Sequence, residues 1–519
     1  MCKMHILREV MMAARHFVDL PTVLVAMSTC LLSYLYLQRH RNLPPGPRPW
    51  PIVGNIPYLM WLKPQFGPTF LTDLSKTYGD VLCFWIALKL HVVISGHDTI
   101  RRALVTRADH FSSRRIPPTQ AYIRGDGTTT KAAKGVLFAE YGPDWKQQRR
   151  FSLKTLRDFG VGKRSLEGKI CDEAAALSRE LLTKDGQPFD IKHLLQNSVS
   201  NIICSIVFGK RFEYGDPEFL LIITLLNNVV DTKPGKDILV NIHPVFRHIP
   251  YASPEDKKLT KNLLGMQAFC KEQIQQHRKT FDPNDIRDFI DAFLLEQQHA
   301  CAGGDQSQTG FTDKQLQEVL LDLFLAGTET TSTTMCWALY YMVLYPHIQE
   351  KVHQEIESVL GQAVPSYALR EKMPYTTATL AEVQRINTIL PYSVPHAVSR
   401  DTTLNGYNIP DDAVILVNLW SVHMDPQLFP EPDKFNPDRF LDRHGNFVKH
   451  EALIPFSVGP RVCLGEQLAR MELFLLFVSL MQRFTFQLPE GAPTPSTPGK
   501  MTALINMPQP YELCAVPRG

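Results

Sequence analysis

Eleven residues near the C-terminus, PFSVGPRVCLG from Pro455 to Gly465, restrict this chain more than any other stretch. Cys463 stands between Gly459 and Gly465, Arg461 lies two positions before it, and the following run, EQLARMELFLLFVSLMQRF, is rich in helix formers. A thiol at or just before a helix N-terminus sits where the helix dipole and free N–H groups favour the thiolate. Such a sulfur serves as a ligand or as a nucleophile. The glycines allow backbone angles closed to other residues, and their missing side chains leave room for a large flat partner. Phe456 is placed to pack beneath that partner, and Arg461 to donate paired hydrogen bonds to a carboxylate on it. Other chemistries ask for more than is present here. A nucleophilic cysteine needs a positioned histidine and an orienting group, and a zinc ligand needs three companions. A purely structural thiol leaves the two glycines and the arginine without a purpose.

The rest of the chain can bury such a loop. At 519 residues it exceeds the length at which one core usually stops growing, yet no linker divides it. The composition, 44% hydrophobic and 21% charged, is that of a globular protein and excludes global disorder. A formal charge of +3 without a dominant basic block excludes a nucleic-acid binder. Ten cysteines, scattered from Cys2 to Cys514 without a CxxC pair, argue against a zinc site or a disulfide framework and for a reduced, cytosol-facing body.

The N-terminus has a different character. PTVLVAMSTCLLSYLYL, Pro21–Leu37, carries no charge and ends at Gln38-Arg39-His40-Arg41, which predicts a short transmembrane anchor with everything beyond it cytosolic. A removed signal peptide and a buried helix are the alternatives, and no small-residue cleavage site follows the run. Lys3, Arg8 and Arg15 blur the orientation and admit a secondary, mitochondrial targeting reading. LPPGPRPWPIVGN, Leu43–Asn55, predicts a stiff elbow, since its prolines forbid continuation of the helix. The division expected is a leader over 1–20, an anchor over 21–37, a basic and proline-rich hinge over 38–55, and a catalytic body over 56–519.

Within the body, DVLCFWIALKLHVVISG predicts one or two strands, and most of the remainder reads helical. The longest helical pattern begins near Thr312-Asp313 and ends near Tyr345-Pro346. Its centre, LFLAGTETTSTTMCW, is almost uncharged on all faces, as a buried element is. Gly327 costs ~1 kcal/mol relative to Ala, and threonines back-bond to carbonyls, so the centre is expected to be weak enough for a groove to open.

The loop first described resembles the haem-binding loop F-x-x-G-x-R-x-C-x-G of the cytochrome P450 monooxygenases at every defined position, through Phe456, Gly459, Arg461, Cys463 and Gly465. Three further stretches fit the resemblance. Glu382 and Arg385 in LAEVQRI share a helix face and, with Arg439 in FNPDRF, resemble the family's Glu, Arg and Arg network that steadies the cysteine loop. AGTETT, Ala326–Thr331, resembles the oxygen-activating turn, with Thr330 hydrogen-bonding the oxygen being activated and Glu329 relaying protons. Trp145 and Arg149 in DWKQQRR occupy the W-x-x-x-R positions that bind a haem propionate, and Arg114 and His396 stand where close relatives add further propionate contacts.

The resemblance is nearest to the animal microsomal family 2, and within it to subfamily U. It implies a mainly α fold with small β-sheets, an N-terminal anchor in the endoplasmic reticulum membrane, and haem b held by the Cys463 thiolate, which pushes electron density toward the oxygen. It implies O₂ as co-substrate, and electrons from NADPH delivered by the NADPH–cytochrome P450 reductase, with cytochrome b5 as an optional helper. GDGTTTKAAKG fails the dinucleotide spacing, in keeping with an external electron donor. Lys146, Arg150, Lys154 and Arg157 offer a basic docking face, with a merely solvated helix face as the alternative. The implied reaction inserts one oxygen atom into a C–H bond of a lipophile, first of all a long-chain fatty acid. Steroid, vitamin D and foreign lipophile hydroxylation are alternatives, as are a haem-thiolate isomerase or dehydratase needing no external electrons and a non-enzymatic haem carrier or sensor. The substrate-contact regions expected are Ala121 to Val136, Phe324 and Leu325, Ile389 to Val398, and Ala503-Leu504.

Overall fold

A computed structural model describes residues 20–38, 42–62, 67–115, 123–124, 134–160, 164–232, 254–302, 310–495, 499–502 and 504–518. The long helical pattern is one continuous helix, Asp313–Leu344, opened by the Thr312 hydroxyl, which accepts from the Gln315 N–H, and followed directly by Pro346. At 1.5 Å per residue its 32 residues run about 48 Å. The helices Lys192–Val207, Pro254–Thr280, Pro346–Leu360, Pro374–Asn387 and Glu466–Arg483 all pack on it.

In chain order the helices used below are α1 (Leu20–Gln38), α2 (Pro143–Asp158), α3 (Arg164–Leu182), α4 (Lys192–Val207), α5 (Pro217–Val230), α6 (Pro254–Thr280), α7 (Phe289–Ala302), α8 (Asp313–Leu344), α9 (Pro346–Leu360), α10 (Pro374–Asn387) and α11 (Glu466–Arg483). Proline occupies the first turn of α2, α5, α9 and α10, where its missing N–H has no intrahelical partner to lose. The main core gathers α3, α4, α8 and α11 around fully buried Leu320, Leu339, Leu475 and Phe477.

The β-rich segment forms a hairpin, β1 (Val81–Ile86) against β2 (Lys89–Ile94), turned at Ala87, whose φ is 51°. β3 (His396–Ala397) and β4 (Val414–Val417) complete a sheet of order β1-β2-β4-β3, with β2 and β4 parallel in the register His91 to Val414. β5 (Phe484–Gln487) pairs antiparallel with β6 (Cys514–Pro517). Mostly helical with small sheets is the architecture expected.

Two features differ from expectation. The helix α1 coincides with the uncharged run, but among the described residues no helix is long and apolar enough to cross a membrane, so the fold does not establish the anchor. The proline elbow lies on the body: the Cys83 N–H donates to the Pro45 carbonyl at 2.9 Å, and the Asn55 side chain donates to the Pro47 and Arg48 carbonyls and accepts from the Trp85 N–H. A Cβ at Gly46 would sit 1.8 Å from the Cys83 carbonyl oxygen, so only glycine lets the run approach β1 this closely.

Candidate functional site

One cavity of about 240 Å³ lies between the Cys463 loop, α2, the centre of α8, the first half of α11 and the stretch Ile389–Val394. Cys463 stands three residues before α11, outside the Gly465 cap, and its N–H donates to the Phe456 carbonyl at 3.0 Å, closing the loop on itself. Its side chain is surrounded by protein yet has open surface, because the open side is the cavity and not bulk water. Burial pushes the thiol up, while the Gly465 N–H and the charges of Arg149 and Arg470 pull the other way.

Three buried or half-buried arginines line the same cavity. Arg461 donates from Nε to the Ser112 carbonyl (2.7 Å), from Nη1 to Val136 (3.3 Å) and from Nη2 to Ala139 (2.6 Å), with its guanidinium 4.0 Å from the Trp145 ring. Arg114 donates from Nη1 to the Val394 and Pro395 carbonyls, and its Nε has no partner. Arg149 donates to the Val462 carbonyl at 2.6 Å. Desolvation and the mutual repulsion of these cations lower Arg461 to about 8, and desolvation followed by Arg149 lowers Arg114 to about 9. Their hydrogen-bond partners are all neutral carbonyls. Such a cluster is matched to an anionic partner.

The remaining expected residues divide. Trp145, Phe456, Gly465 and Thr330 line the cavity with Cys463 and the three arginines. Trp145 spends its indole N–H on the Val136 carbonyl at 2.9 Å, and Phe456 lies beneath the Arg470 guanidinium at 4.8 Å. Gly465 has open space where a side chain would stand. Gly459 is different. A Cβ there would meet the Leu104 carbonyl oxygen at 2.0 Å, so this glycine, at φ 81°, makes room for the backbone of the protein and not for a flat partner. His396 is off the cavity wall: its Nδ1 bonds the Phe111 carbonyl, and burial with the charges of Arg114 and Arg461 holds it well below the usual imidazole range, so it is neutral.

The centre of α8 also departs from expectation. It stays α-helical throughout, and Gly327 is occupied from outside, since a Cβ there would lie 2.6 Å from the Ile203 side chain of α4. Thr330 and Thr334 do back-bond, to the Ala326 and Thr330 carbonyls. Glu329 turns away from the cavity and accepts from Gln196 at 2.8 Å, with burial pushing its carboxyl up. Phe324 is core, packed near Phe208, and neither it nor Leu325 lines the cavity. Ala503 and much of Ala121–Val136 lie outside the described residues; Leu504 is exposed.

Beside the cavity, Glu382, Arg385 and Arg439 come together as a buried network, with Glu382 accepting from both arginines. On α2, Lys146, Arg150, Lys154 and Arg157 are all exposed, opposite the buried Trp145, Phe151 and Leu156.

Sequence reasoning passed over Asp322 and Glu472. Asp322 reaches the cavity wall and accepts from Arg124 (2.5 Å) and from the Val136 and Leu137 N–H groups. Glu472 lines the cavity from α11. Each is a lone acid in an otherwise apolar helical run, and that was the available signal.

Comparison with known proteins agrees with this geometry. The family described as "Cytochrome P450" matches residues 44–515. The rat protein named cytochrome P450 2U1 is 41% identical over 505 residues, covering 93% of this chain and 92% of its own. Its human counterpart is 40% identical, covering 93% and 90%. The human cytochrome P450 2D6 is 41% identical, covering 96% and 98%.

Proposed function

Since this chain belongs to the cytochrome P450 family, as a family 2 monooxygenase working with haem, O₂ and NADPH-derived electrons, we propose that Cys463 is its haem-iron ligand and that it hydroxylates long-chain fatty acids. The observation that carries the proposal is a cysteine sulfur facing a cavity whose arginines have only neutral carbonyls as hydrogen-bond partners. The residues fit the group. Cys463 would hold the iron, Arg114, Arg149 and Arg461 would hold its two propionates, and the open space at Gly465 would leave room for the group. When bound, haem supplies the activation of O₂ and the cleavage of its O–O bond.

The protein's own groups do the rest. Arg461 and Arg149 brace the carbonyl groups around the cysteine loop, and the Glu382, Arg385 and Arg439 network holds the segment next to it. Thr330 lines the cavity from α8 with its hydroxyl on the Ala326 carbonyl, and moves a proton in the cavity by turning from that carbonyl. Glu329 reaches that path only by leaving Gln196, so it acts as a gated proton store behind α8. The wall, built of Leu137, Ile203, Val207, Leu323, Ile389 and Val394, suits an extended apolar chain.

Electrons come from the NADPH–cytochrome P450 reductase docked on the exposed basic face of α2, with cytochrome b5 as a possible second donor. The helix α1, with Leu24, Val25, Met27, Leu31 and Leu32 exposed, attaches the body to the endoplasmic reticulum membrane. Foreign lipophiles are the second substrate reading, because an apolar wall discriminates weakly between lipophiles. The test is the carbon monoxide spectrum of the reduced holoprotein, followed by product profiling of a fatty acid, steroid, vitamin D and drug panel with added reductase. A thiolate-type Soret band and hydroxylated fatty acids are expected. A histidine-type band defeats the ligand assignment, and turnover confined to other lipophiles defeats the substrate.

A further inference from the structure

Two carboxylates line the cavity. Asp322 is paired with Arg124, whereas Glu472 takes part in no ion pair among the described residues and is 1% exposed. It stands nine residues beyond Cys463, on the helical stripe that runs from Gly465 through Leu468 and Ala469 to the cavity wall. Its Oε1 has no partner among the described residues, and the carboxyl accepts from the Thr331 side chain on α8, the neighbour of Thr330.

A lone buried carboxylate without a cation is heavily penalised, whereas a protonated carboxyl needs only one acceptor and one donor. The Thr331 hydroxyl donates to one of its oxygens, and the proton of the neutral acid sits on the other.

We propose that Glu472 works in this site as an uncharged carboxylic acid, a positioning residue that accepts from the Thr331 hydroxyl and so ties α8 to the helix that follows Cys463. Burial likewise pushes this carboxyl well above the usual carboxylate range. The link joins the helix behind the sulfur to the turn bearing Thr330, and it keeps a negative charge away from the prosthetic group. The inference rests on reading the cavity as the haem site.

The test uses the full-length holoprotein as wild type, Glu472→Gln and Glu472→Leu. Infrared difference spectra between the ferric and ferrous states of the wild type should contain a protonated-carboxyl C=O band that shifts in D₂O and is missing from Glu472→Gln. The haem reduction potential of Glu472→Gln should equal that of the wild type, because no charge is removed. Product formed per NADPH should fall several-fold in Glu472→Leu and recover in Glu472→Gln. A band unaltered by Glu472→Gln overturns the proposal, as does a potential that rises in that variant. If Glu472→Leu does not hold haem, the Gln comparison decides alone. The carbon monoxide spectrum reports separately: a wild type lacking the thiolate band refutes the haem-site reading, and a normal one without the carboxyl band refutes Glu472 alone.

Discussion

Arg385 grips both carboxylate oxygens of Glu382, its Nε and Nη2 each donating at 2.7 Å, with neither side chain exposed to solvent. Arg439 adds a third bond at 3.0 Å, the Asn436 N–H a fourth, and Arg385 Nη1 donates to the His423 carbonyl. Two cations therefore depend on one anion. Glu382→Leu should destabilise the fold by about 3–5 kcal/mol, because both guanidinium groups are left buried without their partner. Thermal melting of the purified protein checks it; a melting temperature equal to that of the wild type removes the network from the architecture.

The two glycines that flank Cys463 should respond oppositely to alanine. Gly459→Ala meets the Leu104 carbonyl in a left-handed conformation, and that conformation alone costs about 1–3 kcal/mol. Gly465→Ala meets nothing within 4 Å, and its φ of −90° suits any residue. Expression and melting should fall for the first and hold for the second, whose loss should be confined to haem uptake. Equal melting of the two variants contradicts this division.

Arg461→Leu should release haem faster. Removing one hydrogen bond to a charged group forfeits about 1.5–3 kcal/mol, which is roughly tenfold or more in the equilibrium. Transfer of haem to an excess of a high-affinity acceptor apoprotein measures the rate. An unchanged rate means that Arg461 serves only its three carbonyl partners.

His277 gives the fold a pH dependence remote from the cavity. Burial opposes its charge, but the hydrogen bond and charge of Asp288, 2.8 Å from Nε2, outweigh that and raise its pKa. A raised folded-state pKa stabilises fully below the unfolded value of about 6.5 and is lost as pH rises through the folded value. Replacing His277 by Gln should therefore lower the melting temperature more at mildly acid than at alkaline pH. A deficit that grows toward alkaline pH reverses the sign and refutes the clasp.

What could be read beforehand follows from how locally each feature is encoded. The hairpin, the span of α8 and the cysteine loop are written in contiguous residues whose caps and turns act within a few positions, and they stand where expected. Orientation across α8 was not legible. Whether Glu329 or Thr330 faces the cavity is decided by α4, whose Gln196 captures Glu329 and whose Ile203 fills the space at Gly327. The same holds for Gly459, whose necessity lies in a carbonyl 355 positions earlier in the chain. Glu472 escaped notice because a single acid among leucines and phenylalanines reads as an exposed helix position until the partner helix is in place.

The proline run laid along β1 has one more effect. β1 is the outermost strand of its sheet, and the segment covering it takes the Cys83 and Trp85 N–H groups while Pro44, Pro45, Pro47, Pro49 and Pro51 have no N–H of their own to offer outward. Strand addition from another molecule therefore stops there. A shortened version beginning near residue 42 retains this self-terminating border, whereas one trimmed to residue 56 uncovers a strand ready to recruit its neighbours into aggregates.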